Sequence, residues 1–199
     1  DDGFKSVASR AGPILAELGA PATSFIPSAL VPGAEPLHWN GIEQWLDTSS
    51  EPELEPMSLD EIRGLLAAGW EIGAHSRTHP HLRELGDEAL AAELRGSRED
   101  CERLLDRPCL SLAYPYGDED VRVQRATAEA GFAAAATLTG DWRTLSPHAW
   151  PRIGVYRVDS QRRFHLKVAY AMRALRRSPA WRLREGFRPP EHKPLRAGS

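Results

Sequence analysis

Short apolar runs alternate with helix-patterned segments along most of this chain, and that alternation narrows the fold more than any other feature. Ser58-Leu59-Asp60-Glu61 is a capping box, in which a serine and a glutamate three residues later satisfy the first free N–H groups of a helix. It opens a helix to Ala68 that Gly69 closes. Trp70 to Ala74 follows as a strand, Asp87 to Arg107 as a helix, Leu110 to Tyr114 as a strand, Asp118 to Ala130 as a helix, and Phe132 to Thr137 as a strand. Upstream, Ser6 to Gly19 reads as a helix with Ser6 as N-cap, kinked or started by Pro13, and Ala22 to Ile26 as a short strand. Downstream, Ile153 to Val158 reads as another strand and Phe164 to Arg177 as a basic amphipathic helix. Strands alternating with helices predict a parallel sheet, open or closed into a barrel, with the chemistry on loops at the carboxyl ends of the strands. The stretch 27–57 holds five prolines together with Trp39 and Trp45, and so long a loop in a compact domain is more often functional than idle.

The chain has 199 residues, of which 41% are hydrophobic and 27% charged, which excludes disorder, collagen and coiled coil as the main state. That length suffices to bury a core without help from a metal, so a metal site found here is a functional one. The net charge of −3 hides an asymmetry: residues 1–154 carry 13 basic and 25 acidic residues, residues 155–199 carry 12 basic and 3 acidic. An acidic body is thus followed by a basic segment able to touch an anionic surface. Cys101 and Cys109 form no Cys-x-x-Cys motif, and no apolar run approaches the roughly 20 residues that span a bilayer.

Three short motifs carry the chemistry. His75-Ser76-Arg77-Thr78-His79-Pro80 places two imidazoles where a turning backbone lets both reach one metal ion, and Pro80 disfavours helical geometry at His79. Asp1-Asp2-Gly3 offers one carboxylate as a further ligand and a second to accept a proton from a bound water, a donor set that suits zinc or a similar divalent ion. Tyr114-Pro115-Tyr116-Gly117 follows a strand and makes a stiff loop whose N–H groups can face a ligand.

In this order, Asp-Asp-Gly, Gly73-Ala74-His75-Ser76-Arg77-Thr78-His79-Pro80 and Tyr114-Pro115-Tyr116-Gly117 resemble the polysaccharide deacetylases, the NodB-like proteins of carbohydrate esterase family 4. The resemblance covers about residues 1–158 and implies an α/β fold, a distorted (β/α) barrel of about seven strands. The family's first strand normally leads into Asp-Asp-Gly, so that strand is expected upstream of Asp1. This makes 1–158 a truncated deacetylase domain and 159–199 a basic C-terminal helix and tail. A fragment beginning at Asp1 is expected to bind metal poorly and to be less active than one with the strand restored.

By position, the resemblance makes Asp1 the catalytic base, Asp2, His75 and His79 the ligands of a divalent metal with zinc as the default, and Tyr116 the donor of an oxyanion-hole N–H. It implies removal of acetyl groups, N-acetyl first, from an acetylated oligo- or polysaccharide. The rivals are a catalytically silent carbohydrate-binding relative and another amide hydrolase on the same scaffold. The family often has an arginine where this chain has Ala113, and Arg152 is the candidate substitute. The general acid has no clear match; His148 is the first candidate and His165 the second. Trp39, Trp45 and Trp142 could stack on a sugar ring, with Trp142 in an Asp-Trp pair similar to one found in some family members. No recognised nucleic-acid-binding module accompanies the basic tail, so no specific nucleic acid is expected.

Overall fold

The computed structural model describes residues 1–138, 145–156 and 158–169. Helix α2 (Leu59–Ala67) starts where its capping box places it: the Ser58 hydroxyl accepts the Glu61 N–H at 3.3 Å, and the Glu61 carboxylate accepts the Ser58 N–H at 2.8 Å. Helices α3 (Asp87–Leu105) and α4 (Val121–Glu129) follow, the first ending on Asp106 in the left-handed conformation and the second capped by Asp120, which accepts the Val123 N–H.

Strands β1 (Thr23–Ile26), β2 (Glu71–Ala74), β3 (Ser111–Ala113), β4 (Ala134–Thr137) and β5 (Trp150–Pro151) form one parallel sheet in the order β1-β2-β3-β4-β5. Because each strand neighbours the next in sequence, successive right-handed crossovers lay their helices on one face. That face is apolar: Ile26, Ile72, Ala74, Leu112 and Ala135 are all buried and pack with the α3 stripe Leu90, Leu94, Ser97 and Cys101. The opposite face carries Thr23, Glu71 and Ser111, with Glu71 accepting a hydrogen bond from each hydroxyl, at 3.0 and 2.6 Å. Phe25 lies on this face opposite Gly73, where a Cβ would stand 2.6 Å from the Phe25 ring, so only glycine fits. The Arg152 guanidinium, just beyond β5, sits 5.5 Å from the Phe25 ring centroid in β1.

Three readings need correction. Ser6 does not cap the first helix; it already has helical angles (φ −61°, ψ −21°), and its side chain makes no cap bond. Instead, a wide turn over Val7–Ala11, with Gly12 N–H donating to Val7 O, precedes α1 (Gly12–Glu17) and seats Pro13, whose missing N–H and bulky ring cannot continue a regular ladder. The strand expected over 153–158 is absent from its described residues, and the sheet's last strand is Trp150–Pro151. Past Arg152, whose N–H donates to Thr137 O, the chain turns back on itself: Tyr156 N–H donates to the Asp159 carboxylate and Asp159 N–H to Tyr156 O. The basic helix begins earlier than expected, because Ser160 caps α5 (Gln161–Val168) by accepting the Arg163 N–H. The remainder of that segment, 170–199, lies outside the described residues.

Candidate metal centre

The carboxyl ends of β2 and β3 carry the two loops that build the site. His75 follows β2 directly and is buried; its Nδ1–H donates to the Ala113 carbonyl at the end of β3, 2.7 Å away. A carbonyl can only accept, so this bond puts the His75 lone pair on Nε2. The loop then brings His79 alongside, its N–H donating to Ser76 Oγ at 3.1 Å. Asp2 Oδ1 meets both imidazoles, 3.3 Å from His75 Nε2 and 3.3 Å from His79 Nε2. The ligand atoms of Asp2, His75 and His79 lie within 4.8 Å of one another.

This donor set fits a divalent cation. An Nε2 lone pair facing a carboxylate oxygen at 3.3 Å is a repulsive pair of acceptors unless a proton or a cation lies between them. With protons rather than a cation in that gap, burial opposes ionisation of Asp2, yet hydrogen bonds and charge from His75 and His79 outweigh it and hold the carboxyl well below its ordinary range. His79 is pushed down from its ordinary pKa, chiefly by burial, which favours the neutral imidazole a metal needs. Two nitrogens and one oxygen would leave a divalent ion a position open to water.

Backbone strain gathers here. Asp2 (φ 75°), Ser76 (φ 59°), His79 (φ 63°) and Tyr116 (φ 59°) are non-glycine residues in the left-handed region, which is costly and is typically retained where function requires it. His79, just before Pro80, is therefore far from helical, in line with the sequence expectation.

Asp1 stands beside this cluster in a two-pronged pair with Arg152, whose guanidinium donates to both carboxylate oxygens at 2.6 and 2.8 Å. Arg152 thus reaches Asp1 from the end of β5, next to the β4 neighbour of β3, where Ala113 has no side chain to do so. Tyr116 meets the His79 ring edge-on, with centroids 4.6 Å apart, and donates its hydroxyl to Asn40 O at 3.0 Å. Its phenol is pushed up to about 12, first by burial and then by the charges of Asp2 and Glu43, so it stays protonated. Trp39 is buried and stacks on His79 at 4.1 Å, so in this loop it packs the site rather than offering a free face. Trp45 is exposed, and Trp142 lies outside the described residues.

His148 is not brought to the cluster. Its Nε2 is 2.9 Å from the Phe132 carbonyl at the amino end of β4, whereas the centre sits at the carboxyl ends of the strands; a tight turn from Ser146 to Ala149 fixes it there. His165 lies on α5. His81, which the sequence reading passed over, stacks on Tyr116 at 4.0 Å and lies 3.6 Å from Asp118. Its signal was its position two residues after His79 in an already crowded motif.

The family model for polysaccharide deacetylase matches residues 1–135, which contain Asp1, Asp2, His75, His79 and Tyr116. The chain belongs to the polysaccharide deacetylase family. This deacetylase-family chain is 31% identical over 150 residues to a chitooligosaccharide deacetylase of Bradyrhizobium sp. (strain ANU 289), an overlap covering 73% of the chain and 57% of that relative. It therefore spans less than two thirds of the length of that curated relative. Among solved structures its fold is similar to the Streptococcus pyogenes deacetylase PplD in complex with acetate, with a TM-score of 0.67 and 16% identity over 85% of the chain and 68% of that protein. It is also similar to IcaB from Ammonifex degensii, with a TM-score of 0.63 and 19% identity over 89% of the chain and 71% of that protein. These likenesses place the deacetylase-family chain in the α/β fold with a parallel sheet.

Proposed function

We propose that the chain is a metal-dependent hydrolase that removes acetyl groups, N-acetyl groups foremost, from an amino-sugar oligosaccharide or polysaccharide. The observation that carries this reading is the convergence of Asp2, His75 and His79 on one point beside an Asp1 held by Arg152. Family membership and the chitooligosaccharide deacetylase relative support the substrate class.

Asp2, His75 and His79 would hold the ion, with zinc favoured by a set of two imidazoles and one carboxylate. Bound there, a divalent ion supplies Lewis-acid polarisation of the acetyl carbonyl and a water acidified from about 15.7 toward roughly 7. Asp1, its carboxylate held in one orientation by the Arg152 fork, would serve as the proton acceptor for the attacking water. The Tyr116 N–H, presented by the left-handed turn after Pro115, donates to the developing oxyanion. Trp39 and Tyr116 pack against His79 and limit access of bulk water to its buried ring.

The finer architecture, a distorted barrel of about seven strands, belongs to the same proposal and is supported by the approach of Arg152 to Phe25 across the inner face. A polyanion contact through the basic segment rests on its charge alone, 12 basic residues against 3 acidic over 155–199. The position of His148 favours one second reading, a carbohydrate-binding relative that lacks a general acid.

The deciding experiment is acetate release from N-acetylated chitooligosaccharides, with and without a chelator. Metal-restored acetate release is expected. Oligosaccharide binding with no acetate at any metal loading selects the silent binder instead.

A further inference from the structure

Between the two histidines the loop is gripped from one helix. Glu93 on α3 accepts three hydrogen bonds from it: Oε2 from Arg77 N–H at 2.8 Å and Thr78 N–H at 3.0 Å, and Oε1 from the Thr78 hydroxyl at 2.8 Å. One turn further along, Gly96 lets Arg77 cross the helix, since a Cβ there would stand 2.4 Å from Arg77 Cδ. A turn beyond that, Asp100 accepts Arg77 Nε–H at 2.9 Å and the Ser28 hydroxyl at 3.1 Å. Residues 93, 96 and 100 recur at helical spacing, so they form one stripe of α3 facing the loop, beside the apolar stripe that faces the sheet. From the other side, Ser28 N–H and Ala29 N–H donate to the Ser76 and Arg77 carbonyls at 3.1 and 3.0 Å.

The grip has something to hold. Ser76 and His79 flank the Arg77-Thr78 pair in left-handed conformations that neither residue type adopts freely. An ionised carboxylate accepting two adjacent backbone N–H groups fixes the direction of both peptide planes, and charge-assisted bonds are the strong ones. The His75 ring is fixed separately by Ala113 O, whereas the Nδ1 of His79 is buried without a partner. The orientation of His79 therefore depends on its backbone, on Trp39 and Tyr116, and so on the Glu93 grip.

We infer that Glu93 is a positioning residue for the metal centre: by holding the Arg77 and Thr78 amides, it sets the turn that aims His79 Nε2 at the point shared with Asp2 and His75. Nothing about Glu93 requires contact with substrate. The inference rests on the metal-dependent reading above, and its test separates the two.

Zinc is titrated calorimetrically into the full chain and into Glu93→Ala, Glu93→Gln and Leu94→Ala, the last a core truncation on the same helix that leaves the grip intact. Amide hydrogen exchange is followed in the metal-free forms. Glu93→Ala should bind zinc about 10- to 100-fold more weakly, the range expected when an outer-shell partner is lost. Glu93→Gln, which keeps one oxygen acceptor, should fall between it and the parent, and stands in if the alanine variant does not fold. Leu94→Ala should lower the urea midpoint while leaving zinc affinity within twofold. The Arg77 and Thr78 amides should lose protection in both Glu93 variants. Unchanged zinc affinity or unchanged protection of those amides in the Glu93 variants overturns the inference, as does an equal loss of affinity in Leu94→Ala. A parent chain that binds no zinc overturns the metal reading itself, while the exchange data still report separately on the grip.

Discussion

Replacing Arg152 by alanine removes both prongs of its pair with Asp1, at 2.6 and 2.8 Å, and with them the cation next to the proposed base. Hydrogen bonds to charged groups contribute about 1.5–3 kcal/mol each in protein stability measurements. The pair is about one quarter exposed on each side, so solvent screening brings the two prongs together down to about the range of one. If Asp1 must be held for proton transfer, a loss of about 1.5–3 kcal/mol in the transition state lowers kcat roughly 10- to 150-fold. Arg152→Lys keeps the charge but cannot form the planar fork, and should lie between the parent and alanine. The assay is steady-state acetate release, read as kcat and KM separately, with zinc affinity measured on the same preparations. The expected result is a fall in kcat with KM and zinc affinity little changed, because Arg152 contacts Asp1 and not the three ligand atoms. A kcat within twofold of the parent for Arg152→Ala would refute the orienting role. A loss confined to zinc affinity would show instead that Arg152 supports the ion and not the base.

Further outcomes follow from other contacts. His79→Ala should abolish chelator-sensitive acetate release and raise the zinc dissociation constant by at least tenfold, because only two ligands remain. Tyr116→Phe removes only the hydroxyl bond to Asn40 O and should leave kcat within about threefold of the parent, since the oxyanion role is assigned to the backbone; a loss of 100-fold would reassign it to the phenol. Ser58→Ala, which deletes the capping side chain of α2, should cost about 1 kcal/mol in urea unfolding with no change in zinc affinity.

How far the sequence alone reached depends on whether the deciding force was local. The capping box at Ser58, the strands ending at Ile26, Ala74 and Thr137, and the helix from Asp87 were legible because neighbouring residues decide them. The start of the first helix was not, because the wide turn ahead of Pro13 is a backbone response that no pattern of apolar residues encodes. The strand placed at 153–158 failed because pairing with β4 ends at Pro151 and the Tyr156–Asp159 turn outcompetes extension. At the site, Asp2, His75 and His79 were legible as residue types with metal-ligand chemistry, and Arg152 only by its place near the last strand, from which it pairs with Asp1. Glu93 was invisible, because its role comes from a helix face meeting a loop 15 residues away in sequence. His148 misled because a histidine in a loop near the last strand says nothing about which end of that strand it occupies.

The pairing of Asp1 with Arg152 joins residues 151 positions apart, whereas Asp2 and the two histidines are all present once residue 79 has been made. A chain synthesised from its amino end therefore has Asp2 and both histidines long before it has the arginine that pairs with Asp1. Closing the longer loop adds only about 0.6 kcal/mol over closing the shorter one, since loop entropy grows logarithmically with length. Time of arrival, not the cost of closure, separates the two: the cluster of Asp2, His75 and His79 has all its side chains before the Asp1–Arg152 pair can exist.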